Sequence, residues 1–285
     1  MKAEIVVGPA DVTGESPVWC DRRRCLWWVD VLGGALHRLV PETGTERVWT
    51  FGEPLACLAL TDGNALLLGL QSGLALFDSD TGKLGTSQPL EPDLPGNRPN
   101  DAAMSRDGRW FVGTMAMVPD GTARGALYRQ DPDGAAHRVL TGLHVANGLA
   151  VSPEADRLYL SDSWHEAGCI WRFDLSPEGA LSNRRLLHDL RGSGARPDGG
   201  CVDAEGCYWS AGIDGGRLIR FTPEGRIDRE ITLPVSKPSK ACFGGKKLDT
   251  MYITSLAPGD AGPNAGAVLA LNPGVTGLPE PRRRL

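Results

Sequence analysis

Short apolar runs, each stopped by a turn of Asp, Gly or Pro, follow one another along the chain, and no helical spacing of apolar residues is sustained. The runs belong to one repeating unit. It opens at a polar or Gly/Pro-containing corner and passes through an apolar strand to a turn. A second strand rich in Trp, Tyr or Leu follows, then a gap, then a third strand. Six copies open at Glu15-Ser16-Pro17-Val18-Trp19, Leu55-Ala56-Cys57-Leu58, Asn100-Asp101-Ala102-Ala103, Asn147-Gly148-Leu149-Ala150, Asp198-Gly199-Gly200-Cys201 and Ser239-Lys240-Ala241-Cys242. A period of about 40–50 residues is that of a propeller blade, a meander of roughly four strands beside a central channel. The expected fold is all-β, a six-bladed β-propeller forming one domain over residues 1–285. No linker interrupts the series. The stretches 91–99 and 258–266 read as loops, and the last dozen residues as a closing segment or a tail.

Composition narrows the classes. Gly 37 in 285 residues is well above the roughly 7% of average usage and fits a fold of many tight turns. A net charge of -5 offers no basic face for nucleic acid. Arg22-Arg23-Arg24 and Arg282-Arg283-Arg284 read as solvated charge in a turn and a tail. The N-terminal residues lack the pattern of a secretory signal, and no run is long enough to span a membrane, so a cytoplasmic setting is expected. Seven cysteines without a CxxC pair argue against a disulfide framework and a structural zinc site. They read as small buried hydrophobes in a reducing compartment. Oligomeric state is not legible.

Propeller geometry brings the starts of the inner strands to one shared mouth. Here those starts carry Glu15, Asn100-Asp101, Asn147 and Asp198, with Arg98 just upstream. Carboxylates and an amide oxygen converging on one point suit a hard divalent cation. Each residue alone has a plainer reading: Asp or Asn beside Gly forms turns, and Glu15 before Ser-Pro can face solvent. The shared phase within the repeat favours a site.

Gly14-Glu15-Ser16-Pro17-Val18-Trp19, Arg98-Pro99-Asn100-Asp101, Gly113-Thr114-Met115, Asn147-Gly148-Leu149, Pro197-Asp198-Gly199 and Cys242-Phe243-Gly244-Gly245 resemble the regucalcin/gluconolactonase/luciferin-regenerating-enzyme family. The resemblance implies one divalent metal ion (Ca²⁺, Mg²⁺, Mn²⁺, Zn²⁺ or Fe²⁺) held by Glu15, Asn147 and Asp198. It implies hydrolysis of a small-molecule sugar lactone to the aldonic acid, with Arg98 and Asn100 contacting substrate. Pro99 and Met117 depart from the regucalcin pattern, so the sugar-contacting wall is expected to differ.

In the mechanism this suggests, the metal polarises the lactone carbonyl and Asp198 serves as general base. His144, near the fourth inner strand, is expected to contact substrate, with Asp162 and Trp164 at the rim. His37, His137, His165 and His188 read as structural. No GxSxG elbow supports a serine hydrolase. The alternatives are a non-catalytic calcium-binding propeller and a propeller esterase acting on non-sugar lactones or aryl esters.

Overall fold

In the computed structural model, which describes residues 2–260 and 262–285, every regular element is a β-strand. Six antiparallel sheets form in chain order, and each touches the next around a ring, the sixth meeting the first. The chain is a six-bladed propeller. The inner strands are Gly14–Cys20, Leu55–Thr61, Asn97–Met104, Ala146–Val151, Arg196–Val202 and Pro238–Gly244.

Burial explains why the sequence reads as unbroken apolar runs. A blade has a neighbour on both faces, so its second strand has no solvent side. Cys25–Asp30, Trp110–Ala116 and Tyr208–Ile213 are buried at every residue. Six hydrophobic clusters fill the six gaps between blades. Successive strand residues point to opposite faces. Trp27 therefore packs towards blade two and Trp28 towards blade six. The fourth strands face water and carry polar residues, as in Thr45–Thr50.

The ring closes with a strand that lay outside the repeat read from the sequence. Glu4–Val7 pairs antiparallel with Val268–Leu271 and becomes the outermost strand of blade six. At the other terminus Arg282–Arg283 pairs parallel with Leu60 and Thr61 of the second inner strand.

The terminal arginines correct the expectation of a solvated tail. Arg283 is 4% exposed and donates to the carbonyls of Gly108, Gln130 and Asp131. Arg282 ion-pairs with Asp21 and donates to the Thr61 carbonyl at 3.1 Å. Only Arg284 is exposed. A planar guanidinium can satisfy several carbonyls at strand ends, so its burial is compensated. The seven cysteines are unbridged, and all but Cys201 are buried.

Each inner strand carries a register break at the same place: Glu15/Val18, Leu55/Cys57, Pro99/Ala102, Asn147/Ala150, Pro197/Gly200 and Pro238/Ala241. A bulge leaves residues unpaired and re-aims their side chains. Here it turns them into the channel.

Arg283 holds blade three while its strand lies on blade two. Arg283→Met strands three carbonyls and should cost about 3 kcal/mol of stability, measured by urea unfolding.

Candidate active site

The bulges set the site. Ser16 follows Glu15 with φ 49, and Gly148 follows Asn147 with φ 63. Both left-handed steps swing the preceding side chain off the strand path. At Gly148 no other residue fits. A Cβ there would lie 2.5 Å from the Ser161 Oγ and 2.6 Å from the Tyr208 hydroxyl, which donates to the Gly148 carbonyl at 2.9 Å.

The mouth gathers two coupled groups. In one, the buried Asn147 amide donates through Nδ2 to the buried Asp198 carboxylate, and its Oδ1 accepts the Gly148 N–H at 3.3 Å. In the other, Arg98 Nη1 donates to Asn100 Oδ1 at 2.7 Å and to the Pro99 carbonyl at 2.8 Å. Asn100 Nδ2 then donates to the Ala146 carbonyl at 3.1 Å, which ties the pair to blade four. Glu15 accepts the Ser16 N–H at 2.9 Å.

Electrostatics link the groups. Burial and then repulsion from Glu15 hold the Asp198 carboxyl well above the usual carboxylate range. Burial, and then Asp101, push Glu15 up to about 7 against the pull of Lys240. Burial lowers Arg98 to about 10, opposed by Glu15. Among the described residues neither Glu15 nor Asp198 has a salt-bridge partner, whereas Asp101 and Asp214 nearby do. Two crowded carboxylates without a paired cation are a costly arrangement unless a cation joins them.

No cluster of three or more His, Cys, Asp or Glu side chains able to hold a metal forms among the described residues. The side chains at the mouth that could offer oxygens to a cation are Glu15, Asp198 and, through its amide, Asn147. This set is all oxygen and incomplete, which fits a hard dication with positions left for water and substrate.

His144 stands at the rim. Its Nδ1 lies 3.1 Å from Asp162, and its ring stacks on Trp164 at 5.7 Å. None of these contacts reaches Glu15, Asn147 or Asp198. Asp162 is buried and accepts the backbone N–H groups of His144, Val145 and Trp164 at 2.8–3.1 Å. It anchors the segment entering the inner strand, as Asp30 does in blade one by accepting from Val12 and Thr13. Pro99 is buried against Gly69 of blade two and does not line the mouth.

Sequence reasoning missed Lys240. From blade six it crosses the channel to the opposite blade, where its ammonium donates to Asp101 and, at 2.9 Å, to the Ala102 carbonyl. The other Asp101 oxygen accepts the Leu149 N–H of blade four at 2.7 Å. At Gly199 a Cβ would lie 2.5 Å from the Lys240 Cβ, so the close passage needs glycine. Lys240 sits at the same phase of the repeat as Asp101, one residue past that of Asp198, but a search for acidic ligands passes over it. Beneath this crossbar is a cavity of about 100 Å³ lined by Ser16, Leu149, Lys240, Cys242 and Glu280, with residues 278–281 along its wall. It lies on the far side of the crossbar from the chemistry.

The family model described as SMP-30/Gluconolactonase/LRE-like region matches residues 13–257. The 6-deoxy-6-sulfogluconolactonase of Pseudomonas putida is 37% identical, covering 97% of this chain and 96% of the relative. The L-arabinolactonase of Azospirillum brasilense is 33% identical, covering 94% and 90%. The solved structure of the calcium-binding protein regucalcin from Agrobacterium tumefaciens superposes with a TM-score of 0.92 at 26% identity, covering 99% of this chain and 97% of that one.

Lys240→Met leaves Asp101 buried without its counter-ion and should destabilise the fold by about 3–5 kcal/mol. Adding Asp101→Asn should recover part of that loss in the same urea titrations. The folded, chelator-treated protein keeps a proton on Glu15 up to about pH 7, whereas the unfolded chain releases it near the ordinary value of 4.5. Stability contributed by this group is therefore full below about pH 4.5 and lost as pH rises through about 7. Thermal unfolding in chelator across that window should show the decline, and millimolar Ca²⁺ should reverse it at neutral pH.

Proposed function

The chain belongs to the SMP-30/gluconolactonase/LRE-like family of lactone hydrolases, and on that premise we propose that it opens a sugar lactone with one divalent metal held by Glu15, Asn147 and Asp198. The observation that carries this reading is the pair of carboxylates at the mouth, Asp198 buried and Glu15 half-buried, without an ion-pair partner among the described residues and set beside Arg98 and Asn100. The all-oxygen donor set favours Ca²⁺, Mg²⁺ or Mn²⁺ over Zn²⁺ or Fe²⁺. A half-turn of the Asn147 amide exchanges its Nδ2 and Oδ1 ends and presents an oxygen beside Asp198. Seven unbridged cysteines support a reducing, cytoplasmic setting.

A bound dication would polarise the lactone carbonyl and offset charge on the developing oxyanion. The protein groups do the rest. Asp198 takes a proton from the attacking water as its oxygen bonds to the carbonyl carbon. The bond from that carbon to the ring oxygen then breaks, and the ring oxygen leaves as a hydroxyl carrying the proton. Arg98 offers planar donors to sugar oxygens, and its bond to Asn100 fixes the direction of both side chains. His144 and Trp164 supply a flat rim against which a sugar ring can lie.

Asp198→Asn should lower kcat on aldonolactones by at least about a thousandfold, and chelator should abolish turnover until metal is restored. Near-normal activity of the variant would refute Asp198 as the base. Hydrolysis that ignores chelator would refute the metal role. Metal binding with no turnover of any lactone or aryl ester would leave the non-catalytic calcium-binding reading.

A further inference from the structure

Two of the cysteines stand directly opposite each other. Cys20 ends the inner strand of blade one and Cys25 begins the second, and they are register partners across the turn Asp21-Arg22-Arg23-Arg24. Both belong to the cluster between blades one and two, whereas their chain neighbours Trp19 and Leu26 belong to the one between blades six and one. The two thiols therefore project to the same side of the sheet. Residues paired in this way have Cα atoms about 4.5–5.5 Å apart, inside the range of roughly 4.4–6.8 Å that a disulfide spans. The loop such a bond closes is short, so it adds little as a staple for the fold.

The surroundings set the two sulfurs apart. Arg282 Nη2 donates to the Cys20 sulfur at 3.5 Å, and the same guanidinium pairs with Asp21. A hydrogen bond from Cys25, and then Arg282, draw the Cys20 thiol down to about 5 against its burial. The same bond and burial push the Cys25 thiol up, opposed by Arg38 and Arg23. Arg23 is itself held by Asp80. A recess of about 10 Å³ reaches Cys20 between Arg23, Leu60 and Arg282, with the exposed Gly63 and Asn64 at its edge. That is room for one molecule near the size of water. Cys25 is not on its wall. A small oxidant entering there meets Cys20 first.

We propose that Cys20 and Cys25 form a redox-modification site, in which a hydroperoxide oxidises Cys20 and Cys25 then closes a reversible disulfide. The assignment stands apart from the lactonase reading. The Cys20 thiolate attacks one oxygen of hydrogen peroxide, the O–O bond breaks, and the hydroxide released takes up the proton Cys20 gave up. The Cys25 sulfur then bonds to the Cys20 sulfur and displaces its oxygen as a second water. Two thiols lose two electrons and two protons, and one peroxide becomes two waters. The bond removes the thiolate that Arg282 contacts and leaves that side chain to Asp21 and the Thr61 carbonyl.

The test treats the full reduced chain with hydrogen peroxide and follows each cysteine by mass spectrometry after alkylation. The expected product is a disulfide linking residues 20 and 25 that a thiol reductant reverses. It should form at least about tenfold faster than Cys201, the least buried cysteine, is modified. Its rate should change less than about twofold between pH 6 and pH 8, where an ordinary thiol gains more than about tenfold. Arg282→Gln should slow the reaction at pH 6 about tenfold. Cys25→Ser should stop at a sulfenic acid on Cys20, trapped by a cyclic 1,3-diketone, and this variant leaves the Arg282 contact in place. Modification of Cys201 ahead of Cys20, oxidation of Cys20 only once urea unfolds the chain, or over-oxidation of Cys20 without a disulfide would each overturn the proposal.

Discussion

The molecule depends on one seam, where the strand Glu4–Val7 from the start of the chain bonds to Val268–Leu271 near its end. A row of blades has two free faces; a ring has none, and its closure lets all six interblade clusters bury their residues at once. The seam also runs through the chemistry. Blade six meets blade one where Ser239 donates to the Gly14 carbonyl, next to Glu15, and Thr13 bridges to Leu256. Glu15 can face Asp198 only in the closed ring.

Within that ring, charge is layered. At the crossbar every charge has a partner: Lys240 is held by Asp101, which also receives N–H groups from Ala102 and Leu149. One layer nearer the mouth, Glu15 and Asp198 accept hydrogen bonds from Ser16 and Asn147 but have no ion-pair partner among the described residues. The contrast is informative because buried charge is tolerated when it is paired with an opposite charge and costly when it is not. The lower layer holds blades three, four and six at a set spacing, and the upper layer keeps the unmet charge that a cation site requires.

The fold was legible because the inner and second strands are buried on both faces and write themselves as apolar runs. The outer strands were not, since water covers them: Leu181–Asp189 is almost wholly polar on its exposed face, and Lys83–Leu84 is only two residues long. The closing strand was illegible for another reason, its partner lying at the opposite end of the sequence. Glu15, Asn100, Asn147 and Asp198 could be found because the bulge recurs at one phase of the repeat. Lys240 lies in the same bulge, at the position Asp101 holds in blade three, but was hidden by its sign, and Arg283 by its place in a basic run that looked solvated. Asp162 drew notice as a carboxylate near the mouth, yet its oxygens are spent on backbone amides.

The C-terminal segment does more than finish the chain. Residues 278–281 run past the far end of the channel, and Arg282–Arg283 is fastened there by pairing to blade two. With Lys240 across the middle and this segment below, the propeller axis is a blind well and not a tunnel. A lactone and the acid made from it must therefore use the same doorway, and each acid has to vacate before the next ring can settle. The traffic of this protein is set at its lip.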